Sequence, residues 1–493
     1  MPVTASVLYD LVQCPRRVSL DAFGDPAARD ELNPFIRLLW EKGTLFERET
    51  IARLEQSFLD LSKAKDDEKE RLTLEAMQRG EPLIYGGRIR AGDLLGEPDL
   101  LRKQAGGYVP GDIKSGAGLE GASEDSDGKP KRHYAVQLAL YVDVLEQLGV
   151  SAGRRAFIWD IHGDEVPYDF TVPQGPKKPE SLWDEYQDAV AQARAILVKE
   201  LVPQSAYGGV CKLCHWYTNC IDELTSADDL TLIPFLGRAL RDTIQPTLPT
   251  IAALADCNPD GFINGKKTVF AGLGPDRLRL FQKRAAMLKQ DKPAPYLRAA
   301  VQLPATPVEL FFDIELDPMR EICYLHGIVE RTGGDNATER FVYFFPDTVS
   351  PEAERAAFAS AYAYLSRQPQ GAIYYYSPYE RTHYRKLQAK YPDVCSADDI
   401  EHLFAPPNTV DLYTDIVLKA TEWPTRDHSI KTLAKYLGFS WRDTHPSGAA
   451  SIEWFDRWCR EGDPAVKQRI LDYNEDDCRA TRVLLDGIRT LAT

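Results

Sequence analysis

Two aspartates and a lysine lie in a short stretch for which the residue pattern predicts two strands. Asp99 follows a proline, and Asp112 and Lys114 occupy GDIKSG, where the i, i+2 spacing places both side chains on one strand face. Carboxylates hold Mg²⁺ or Mn²⁺, and a bound ion lowers the pKa of its water, while a lysine orients that water or stabilises the transition state. The stretch therefore indicates phosphodiester hydrolysis, with ordinary surface strand ends as the alternative interpretation.

A second acidic set is spread over the C-terminal part of the chain. Asp313 and Glu315 share one face of an apolar strand in FFDIELDP, and Glu380 follows the strand IYYYSP. Tyr473 and Asp477, in DYNEDDCRAT, are four residues apart and therefore share a helix face. Carboxylates in this arrangement are suited to holding two metal ions roughly 3.5–4 Å apart, with Tyr473 positioning the attacking water.

Three cysteines, Cys211, Cys214 and Cys220, lie close together in CKLCHWYTNC. Thiolates at this spacing bind one face of a metal ion or cluster, and a fourth ligand is required. His215 is a local candidate for that ligand, and Cys14, in QCPRR, is a distant one. A zinc site usually pairs two C-x2-C halves, and buried inert cysteines are a further alternative.

The first acidic stretch resembles the PD-(D/E)xK nucleases, whose motif matches PD at Asp99 and DIK from Asp112 to Lys114. A helix beyond it extends the resemblance to the RecB-like branch of these enzymes. Gln137 and Tyr141, in QLALY, match the Q-x3-Y motif of that branch and share a helix face. The resemblance implies that this pair contacts substrate near the metal.

The segment KGTLFERE resembles the G-x3-H element of the same family, with Glu47 in the position where histidine is usual. Glutamate oxygens suit Mg²⁺ or Mn²⁺. The resemblance therefore implies that Glu47, Asp99 and Asp112 are metal ligands. Glu49 is a competing ligand, and a solvated helix face is the alternative interpretation of this segment.

The cysteine trio, combined with a lone upstream cysteine followed by Pro-Arg-Arg, resembles the iron–sulfur RecB-like nucleases. In that family four cysteines bracket the nuclease fold and hold a [4Fe–4S] cluster. The resemblance implies that the cluster ligands are Cys14, Cys211, Cys214 and Cys220. Such a cluster would join the two ends of the domain, much as a crosslink over a long loop does.

The C-terminal set resembles the tyrosine-bearing DEDD exonucleases of the RNase H-like fold, which remove nucleotides from 3′ ends. The resemblance covers residues 308–493 and implies five catalytic residues, Asp313, Glu315, Glu380, Tyr473 and Asp477, of which Asp313, Glu315 and Asp477 bind metal. Glu380 stands where aspartate is usual, and Asp411 and Asp415 are alternative ligands. A folded but silent scaffold is the alternative interpretation of this region.

Residues 261–293 carry eight lysines and arginines against two aspartates, a local charge of +6 (8 − 2). Within them, Gly272 and Gly274 permit a tight turn, and a helix is predicted beyond Pro275. Backbone N–H groups at such a helix start face a phosphate. The segment resembles a helix-hairpin-helix module, which binds the DNA backbone without reading sequence. A helical spacer with a basic solvated face is the alternative.

The chain has 493 residues, nine cysteines and a formal charge of −15. This length predicts several domains, the odd number of cysteines argues against a disulfide framework, and no apolar run reaches the ~20 residues of a membrane helix. The N-terminus has no signal-peptide pattern, so a cytoplasmic location is expected. The negative charge does not exclude nucleic-acid binding, because only local basic patches need to contact phosphate.

We therefore expect an α/β multidomain protein with a RecB-like restriction-endonuclease fold, a helical hairpin module and an RNase H-like fold. The expected parts are an iron–sulfur RecB-like nuclease domain (1–222), a helix-hairpin-helix-like DNA-binding region (223–292), a linker (293–307) and a DEDD 3′–5′ exonuclease domain (308–493).

The expected function is a metal-dependent nuclease that hydrolyses DNA, exonucleolytically on single strands or ends, and has no membrane partner. RNA and a separate helicase are further partners that the resemblance allows. Two alternatives remain open. One is a non-catalytic scaffold that binds nucleic acid for a separate helicase or nuclease. The other is an RNA-trimming 3′–5′ exonuclease that uses only the C-terminal site.

Overall fold

The structure, a computed structural model, describes residues 1–123, 126–175, 178–367 and 371–491. Contacts within the chain divide it into two compact units. The first unit consists of Met1–Ser205 and Gly209–Ile221, and the second of Ala206–Gly208 and Asp222–Thr493. In the part of the chain that the structure describes, no helix is long and apolar enough to cross a membrane.

Helices and short strands alternate along the first unit, as the sequence predicts for an α/β fold. Its helices are α1 (Ala5–Gln13), α2 (Pro15–Phe23), α3 (Pro34–Ala52), α4 (Asp66–Arg79), α5 (Arg132–Gln147), α6 (Leu182–Leu197) and α7 (Tyr217–Ser226), the last of which extends beyond the unit boundary. Its strands are β1 (Val3–Thr4), β2 (Leu59–Asp60), β3 (Leu83–Tyr85), β4 (Ile89–Ala91), β5 (Leu94–Gly96), β6 (Leu100–Gln104), β7 (Gly107–Ile113), β8 (Leu119–Ser123), β9 (Ser126–Pro130), β10 (Arg155–Trp159), β11 (Glu165–Asp169), β12 (Pro173–Gly175) and β13 (Lys178–Ser181).

A six-stranded sheet in the order β11-β10-β7-β6-β3-β2 supports the first unit. In it, β7 pairs in parallel with β10 and antiparallel with β6. The apolar residues of α5 recur at helical spacing, and Val136, Leu140 and Val144 are fully buried. The helix contacts α1, α6 and β7, so it fills the core on one face of the sheet.

The composition of the acidic, glycine-rich stretch after β7, GLEGASEDSDGKP, predicts a loop, and the structure differs from this prediction. Its described residues form the antiparallel hairpin of β8 and β9, in which Leu119 pairs with Pro130. Residues 124 and 125 of the predicted loop lie outside the described residues. The pattern of Gly, Ser and Asp concealed the hairpin because these residues rarely favour strands.

The second unit begins with short helices and ends with a longer α/β region. Its helices are α8 (Arg238–Ile244), α9 (Ile251–Asp256), α10 (Pro275–Leu288), α11 (Pro351–Ser366), α12 (Tyr379–Lys390), α13 (Ala397–Leu403), α14 (Leu418–Ala420), α15 (Ile430–Tyr436), α16 (Gly448–Glu461) and α17 (Pro464–Arg489). Its strands are β14 (Ile263–Asn264), β15 (Lys267–Thr268), β16 (Tyr296–Leu297), β17 (Val308–Asp317), β18 (Ile322–Thr332), β19 (Asp335–Phe344), β20 (Gly371–Tyr375), β21 (Thr409–Asp411) and β22 (Thr421–Glu422).

A five-stranded sheet in the order β19-β18-β17-β20-β21 lies at the centre of the second unit. The three strands β17, β18 and β19 are antiparallel, whereas β20 and β21 continue the sheet in parallel. The long helix α17 contacts β17, β18 and β20. Its buried residues recur along one face from Val466 to Ile488, which fixes the rotation of the helix against the sheet.

The stretch from residue 223 to 292 is mainly helical, as predicted, but it also contains a small hairpin. Strands β14 and β15 are joined by the two-residue turn Gly265-Lys266, and Gly265 has a positive φ of 61°. Glycine at the first position of a two-residue turn is a hairpin signal that the prediction of a helical hairpin module overlooked. The predicted linker 293–307 likewise contains β16, which pairs with β22.

A buried ion pair connects α10 with β22 inside the second unit. Arg284 donates from Nε to one oxygen of Glu422 at 2.8 Å and from Nη2 to the other at 3.1 Å. The side chains of Arg284 and Glu422 are only 7% and 1% exposed, and Arg298 approaches the same carboxylate at 3.2 Å. Arg284 therefore stabilises the fold and is not part of the predicted basic surface.

We predict that Arg284→Ala lowers the free energy of unfolding by about 3–5 kcal/mol, because it leaves Glu422 buried without its bidentate partner. Arg279→Ala is the matched control on the same helix. Arg279 pairs with Asp260 where both side chains are largely exposed, so its removal should cost under about 1 kcal/mol. Chemical denaturation measures both values, and equal losses for the two variants would contradict the assignment.

Candidate active sites

The first acidic site lies where β6 begins and β7 ends. Leu100 pairs with Gly111 across these antiparallel strands, so the preceding Asp99 lies opposite Asp112. The backbone N–H of Ile113 donates to Asp99 Oδ2 at 2.7 Å, and that of Asp99 lies 3.4 Å from Asp112 Oδ1. Lys114 Nζ donates to Asp112 Oδ2 at 2.8 Å. The structure thus brings together the three residues that the sequence singled out.

The pKa values of Asp99 and Lys114 are shifted by burial and by the charges around them. Burial and the neighbouring Asp112 carboxylate raise the pKa of Asp99 well above its usual range. Burial opposes the charged form of Lys114, but Asp112 and Asp99 outweigh it and raise the lysine pKa. One lysine faces two carboxylates here, so an added divalent cation would relieve the remaining repulsion.

Glu47 and Glu49 occupy different environments on α3. Tyr85 donates its hydroxyl proton to Glu47 Oε1 at 2.9 Å, and the charge of Glu47 contributes to the raised pKa of Asp99. Glu49 is half exposed and approaches Arg53 at 3.6 Å on the same helix. The structure therefore brings Glu47, and not its competitor, to the acidic site.

Gln137 and Tyr141 lie four residues apart on α5 and therefore share a face of the helix. Tyr141 is 4% exposed, and its hydroxyl lies 3.4 Å from the carbonyl oxygen of Glu97, two residues before Asp99. Gly96 allows this packing, since a Cβ there would lie 2.6 Å from the tyrosine ring. Gln137 Oε1 is buried without a hydrogen-bond partner in the described structure. Tyr141 thus supports the backbone that carries Asp99.

The cysteines of the first unit come from both ends of its chain. Cys14 lies between α1 and α2, Cys211 lies in the 3-10 helix Gly209–Leu213, and Cys220 lies in α7. Burial, together with the nearby Cys14 and Cys220 thiols, raises the pKa of Cys214 to about 11. The distant Cys14 is therefore a neighbour of the cysteine trio.

His215, the local alternative to Cys14, has one ring nitrogen bound to a carboxylate. Its Nε2 lies 2.7 Å from Asp21 Oδ1, and the indole of Trp216 donates to the same oxygen at 2.9 Å. A carboxylate on one ring nitrogen is the usual partner of a metal-binding histidine and leaves the other nitrogen for the metal, so His215 stays an alternative fourth ligand for the trio.

The second acidic site lies on β17 and α17. Ligand oxygens of Asp313, Glu315 and Asp477 all lie within 4.8 Å of one another, the one such group of His, Cys, Asp or Glu among the described residues. They line a cavity of about 280 Å³ together with Tyr473 and Glu380. All five catalytic residues expected from the sequence of this region therefore converge.

Each carboxylate of the second site is held by hydrogen bonds. Asn474 Nδ2 donates to Asp313 at 2.6 Å, and the hydroxyl of Tyr324 donates to Glu315 at 3.3 Å. Asp477 accepts a bond of 2.7 Å from the indole of Trp441. These partners come from β18, α17 and the segment after α15, so only the folded unit assembles them.

Lys431 is a site residue that the sequence analysis did not identify. From α15, its Nζ donates to the Tyr473 hydroxyl oxygen at 2.8 Å and to both oxygens of Asp477 at 3.2 Å. Its segment, SIKTLAKYLGF, gives no local signal of this contact, because Lys431 lies 42 residues before Tyr473 in the chain. Asn474 was missed as well, although its spacing of three from Asp477 places both on one helix face.

Glu380 is almost completely buried at the start of α12, and its Oε2 has no hydrogen-bond partner in the described structure. Burial and the nearby Asp411 and Asp477 carboxylates raise its pKa well above the usual range. A buried carboxylate oxygen without a partner beside three other acids fits a cation ligand. Glu380 thus occupies the place expected for the fourth acid.

Asp411 and Asp415, the alternative ligands, have other partners. Asp411 Oδ1 accepts from the backbone N–H groups of Ser377 at 3.0 Å and Thr414 at 2.9 Å. Ser377 lines the acidic cavity with a positive φ of 97°, a strained value that the bond to Asp411 helps to hold. Asp415 is half exposed and pairs with Lys419.

Gly327 makes room for Asn474. It pairs with Asp313 across β17 and β18, and a Cβ at this position would lie 1.6 Å from Asn474 Oδ1. The thiol of Cys478, one turn further along α17, lies 3.4 Å from the carbonyl oxygen of Gly327. The close approach of helix and strand at this point sets the position of the amide that binds Asp313.

Comparisons with known families agree with these two sites. Residues 6–220 match the family model of the PD-(D/E)XK nuclease superfamily, and residues 310–488 match that of the RNase_H superfamily. The comparison with curated proteins gives no match. Both matches support the class of nucleases. In particular, the chain contains one PD-(D/E)XK nuclease superfamily domain and one RNase_H superfamily domain, which supports a hydrolytic nuclease.

We predict that the metal-free protein loses stability as the pH rises from about 5 to about 9. Burial and Asp477 raise the pKa of Glu315 from 4.5 to about 8. Between these values the folded protein binds more protons than the unfolded chain, so the free energy of unfolding falls with rising pH. A saturating divalent cation should oppose the fall, because it replaces the protons.

Melting temperatures in EDTA across this pH range test the prediction. Glu315→Gln should show a shallower fall than wild type, whereas Glu461→Gln, at a half-exposed position of α16, should retain the wild-type slope. Identical slopes for wild type and Glu315→Gln would show that Glu315 does not hold the proton.

Proposed function

We propose that the chain is a metal-dependent exonuclease that hydrolyses DNA at single strands or ends, with both acidic sites active. The observation that carries the proposal is the convergence of Asp313, Glu315 and Asp477 within 4.8 Å in one cavity. The acidic site of the PD-(D/E)XK domain, with Lys114 beside its carboxylates, supports a second hydrolytic centre.

The residues of the second site would have separate roles in hydrolysis. Asp313, Glu315, Glu380 and Asp477 would hold Mg²⁺ or Mn²⁺, which supplies the activation of water and the neutralisation of phosphate charge. Lys431 donates to the Tyr473 oxygen, and the tyrosine hydroxyl interacts with Asp477, so Tyr473 would position the attacking water beside that carboxylate. The second site would remove nucleotides from 3′ ends.

The residues of the first site have matching roles. Asp99 and Asp112, with Glu47 across from them, would hold the metal ion. Lys114 would stabilise the negative charge that develops on the phosphate. Tyr141 supports the backbone before Asp99, and Gln137, with its unpartnered buried oxygen, would face substrate. This site would act from the opposite end of the strand.

The helical region would bind the DNA backbone. Helix α10 begins at Pro275 after Gly274, and Gly272 has a positive φ of 74° in the turn before it. Three of the eight basic residues of 261–293 are engaged in ion pairs, Arg279 with Asp260, Arg284 with Glu422 and Lys289 with Asp228. The other five, Lys266, Lys267, Arg277, Lys283 and Lys292, are exposed, which supports a smaller basic surface than the sequence predicted.

We predict that Lys114→Ala and Asp313→Asn abolish digestion from opposite ends of a single strand. Each should reduce its own polarity by at least about 100-fold, because each removes a group that acts on the scissile phosphate or its metal. The assay uses the full-length protein with 5′- or 3′-labelled DNA and RNA strands in Mg²⁺ or Mn²⁺.

Glu49→Gln and Asp415→Asn are matched controls for this assay, since both remove an exposed acid beside a site without entering it. Wild-type digestion of both labels by Lys114→Ala and Asp313→Asn would refute the proposal. Binding of single strands without cleavage in Mn²⁺ would favour a scaffold, and trimming confined to RNA would favour an RNA exonuclease.

We propose further that Cys14, Cys211, Cys214 and Cys220 would hold a [4Fe–4S] cluster. Four thiols are a donor set that suits such a cluster. The effect of Cys14 and Cys220 on the pKa of Cys214 supports their proximity. Cys14, rather than His215, would complete the set of four thiolates that is usual for such a cluster. The cluster would join the start and end of the first unit.

We predict that protein purified without oxygen is brown and contains iron and sulfide. Cys14→Ser should lower the iron content and bleach the visible absorbance, because it removes one ligand. Cys257→Ser, which changes a cysteine of α9's C-terminal cap, should leave the colour intact. Colourless wild-type protein that contains zinc would overturn the cluster assignment.

A further inference from the structure

Helix α3, which carries Glu47, also carries an exposed tryptophan. Trp40 lies seven residues before Glu47, a spacing that places both side chains on one face of the helix and about 10 Å apart along its axis. Trp40 is 60% exposed, and it is the one tryptophan among the exposed large apolar side chains of the described residues. An aromatic ring is therefore presented to solvent on the helix face that leads to the first acidic site.

The same face of α3 approaches the acidic site between Trp40 and Glu47. A Cβ at Gly43, one turn before Glu47, would lie 3.7 Å from Ser115 Oγ. Ser115 directly follows Lys114 in the chain. The helix is thus in contact with the acidic site from Gly43 onward, and Trp40 lies just beyond that contact, at the edge of the site.

Two arginines lie beside this face. Arg37 and Arg48 are exposed, and within the described ranges the structure shows no ion pair for either. The two share one strip of the helix surface, because the eleven residues between their positions make about three turns. Glu41 is the exposed acid between them, so the strip keeps a positive charge of +1 (2 − 1).

Two kinds of occupant suit a surface of tryptophan and arginine. Single-stranded nucleic acids stack their bases on aromatic rings and place their phosphates against cations. Protein partners also bind at such residues. Continuity with the acidic site favours the nucleic acid, because a strand whose phosphate lies beside Lys114 reaches the Trp40 ring within a few nucleotides.

We propose that this outer part of α3 binds the single strand that the first acidic site cuts, a few nucleotides away from the scissile phosphate. Trp40 stacks on one base, and Arg37 and Arg48 contact phosphates of the same strand. The inference rests on the proposed nuclease function of the first site and identifies the surface that holds the strand outside the metal-binding residues.

Digestion of end-labelled single-stranded DNA by the full-length protein tests the surface. At the polarity that Lys114→Ala abolishes, Trp40→Ala should raise the KM about tenfold, the loss of one stacked base. The kcat should stay within about twofold of wild type, because the ring does not touch the scissile phosphate. Digestion of the opposite polarity should be unchanged, and Trp40→Phe, which keeps a ring, should largely restore the KM.

Two comparisons separate strand binding from a structural role of Trp40. Leu45→Ala is the matched control, since Leu45 is 49% exposed on the same helix but lies roughly 140° around it from Trp40. It should keep the wild-type KM. A dinucleotide, which is too short to reach the ring, should be cut by Trp40→Ala and by wild type with the same KM. Both variants should also keep the wild-type melting temperature.

The arginines have their own measurement. Arg37→Ala should reduce the slope of log KM against log salt by about 0.7, the value of one phosphate contact on a single strand. Arg53→Ala, which removes a 79% exposed arginine that approaches Glu49 at the end of the same helix, should keep the wild-type slope.

The outcomes separate this surface from the proposed nuclease function. A wild-type KM in Trp40→Ala, or an equal rise in Trp40→Ala and Leu45→Ala, overturns the strand-binding surface. Loss of one polarity in Lys114→Ala within the same experiment would show that the nuclease function of the first site still stands. Digestion that Lys114→Ala leaves unchanged at both ends overturns the first site and this surface together.

Discussion

Carboxylates that lie close together away from water repel one another, and each unit has to hold them in place against that repulsion. Asp112 is 2% exposed and Glu315 is 6% exposed, yet each lies beside further acids. A lysine partly compensates each cluster, Lys114 in the first unit and Lys431 in the second. Removing one member of such a group leaves uncompensated buried charge. In each unit, the strands and helices must therefore place a positive or hydrogen-bonding partner beside the carboxylates.

The two units differ in how far along the chain the carboxylates lie from the residues that hold them. In the first unit, Lys114 is two residues from Asp112 and the amide of Ile113 binds Asp99, so strand pairing alone supplies the partners. In the second unit, the partners of Asp477 come from α15 and from the segment after it. The second site therefore forms only when segments distant in the chain pack against α17, whose buried face supplies Asp477.

Local geometry explains which features could be predicted from the sequence. The i, i+2 spacing in a strand and the i, i+4 spacing in a helix follow from backbone geometry. The shared face of pairs such as Asp313 and Glu315 could therefore be predicted from the sequence. Lys431 and Trp441 carry no such signal, because only tertiary contacts bring them to Asp477. The hairpin turn at Gly265 and Lys266 was missed for another reason, since the basic and helical character of its surroundings outweighed a short turn motif.

Local charge counts were a weaker guide than residue spacing. The basic surface predicted for 261–293 is smaller in the structure, because Arg284 lies in a buried pair with Glu422. A sequence window cannot distinguish an arginine that faces solvent from one that neutralises an acid more than a hundred residues away. Net charge describes what a segment contains, whereas the fold decides which charges remain available to a ligand.

The carboxylate of Asp313 determines which way the amide of Asn474 points, and the absence of a side chain at Gly327 leaves room for that amide. Asn474 Nδ2 faces Asp313, and Oδ1 therefore faces the Cα of the glycine. Rotating the amide by half a turn would set an oxygen against a carboxylate. A residue without any functional group thus makes space for a hydrogen bond at the acidic site, and even a methyl group there would compete with the amide for the same space.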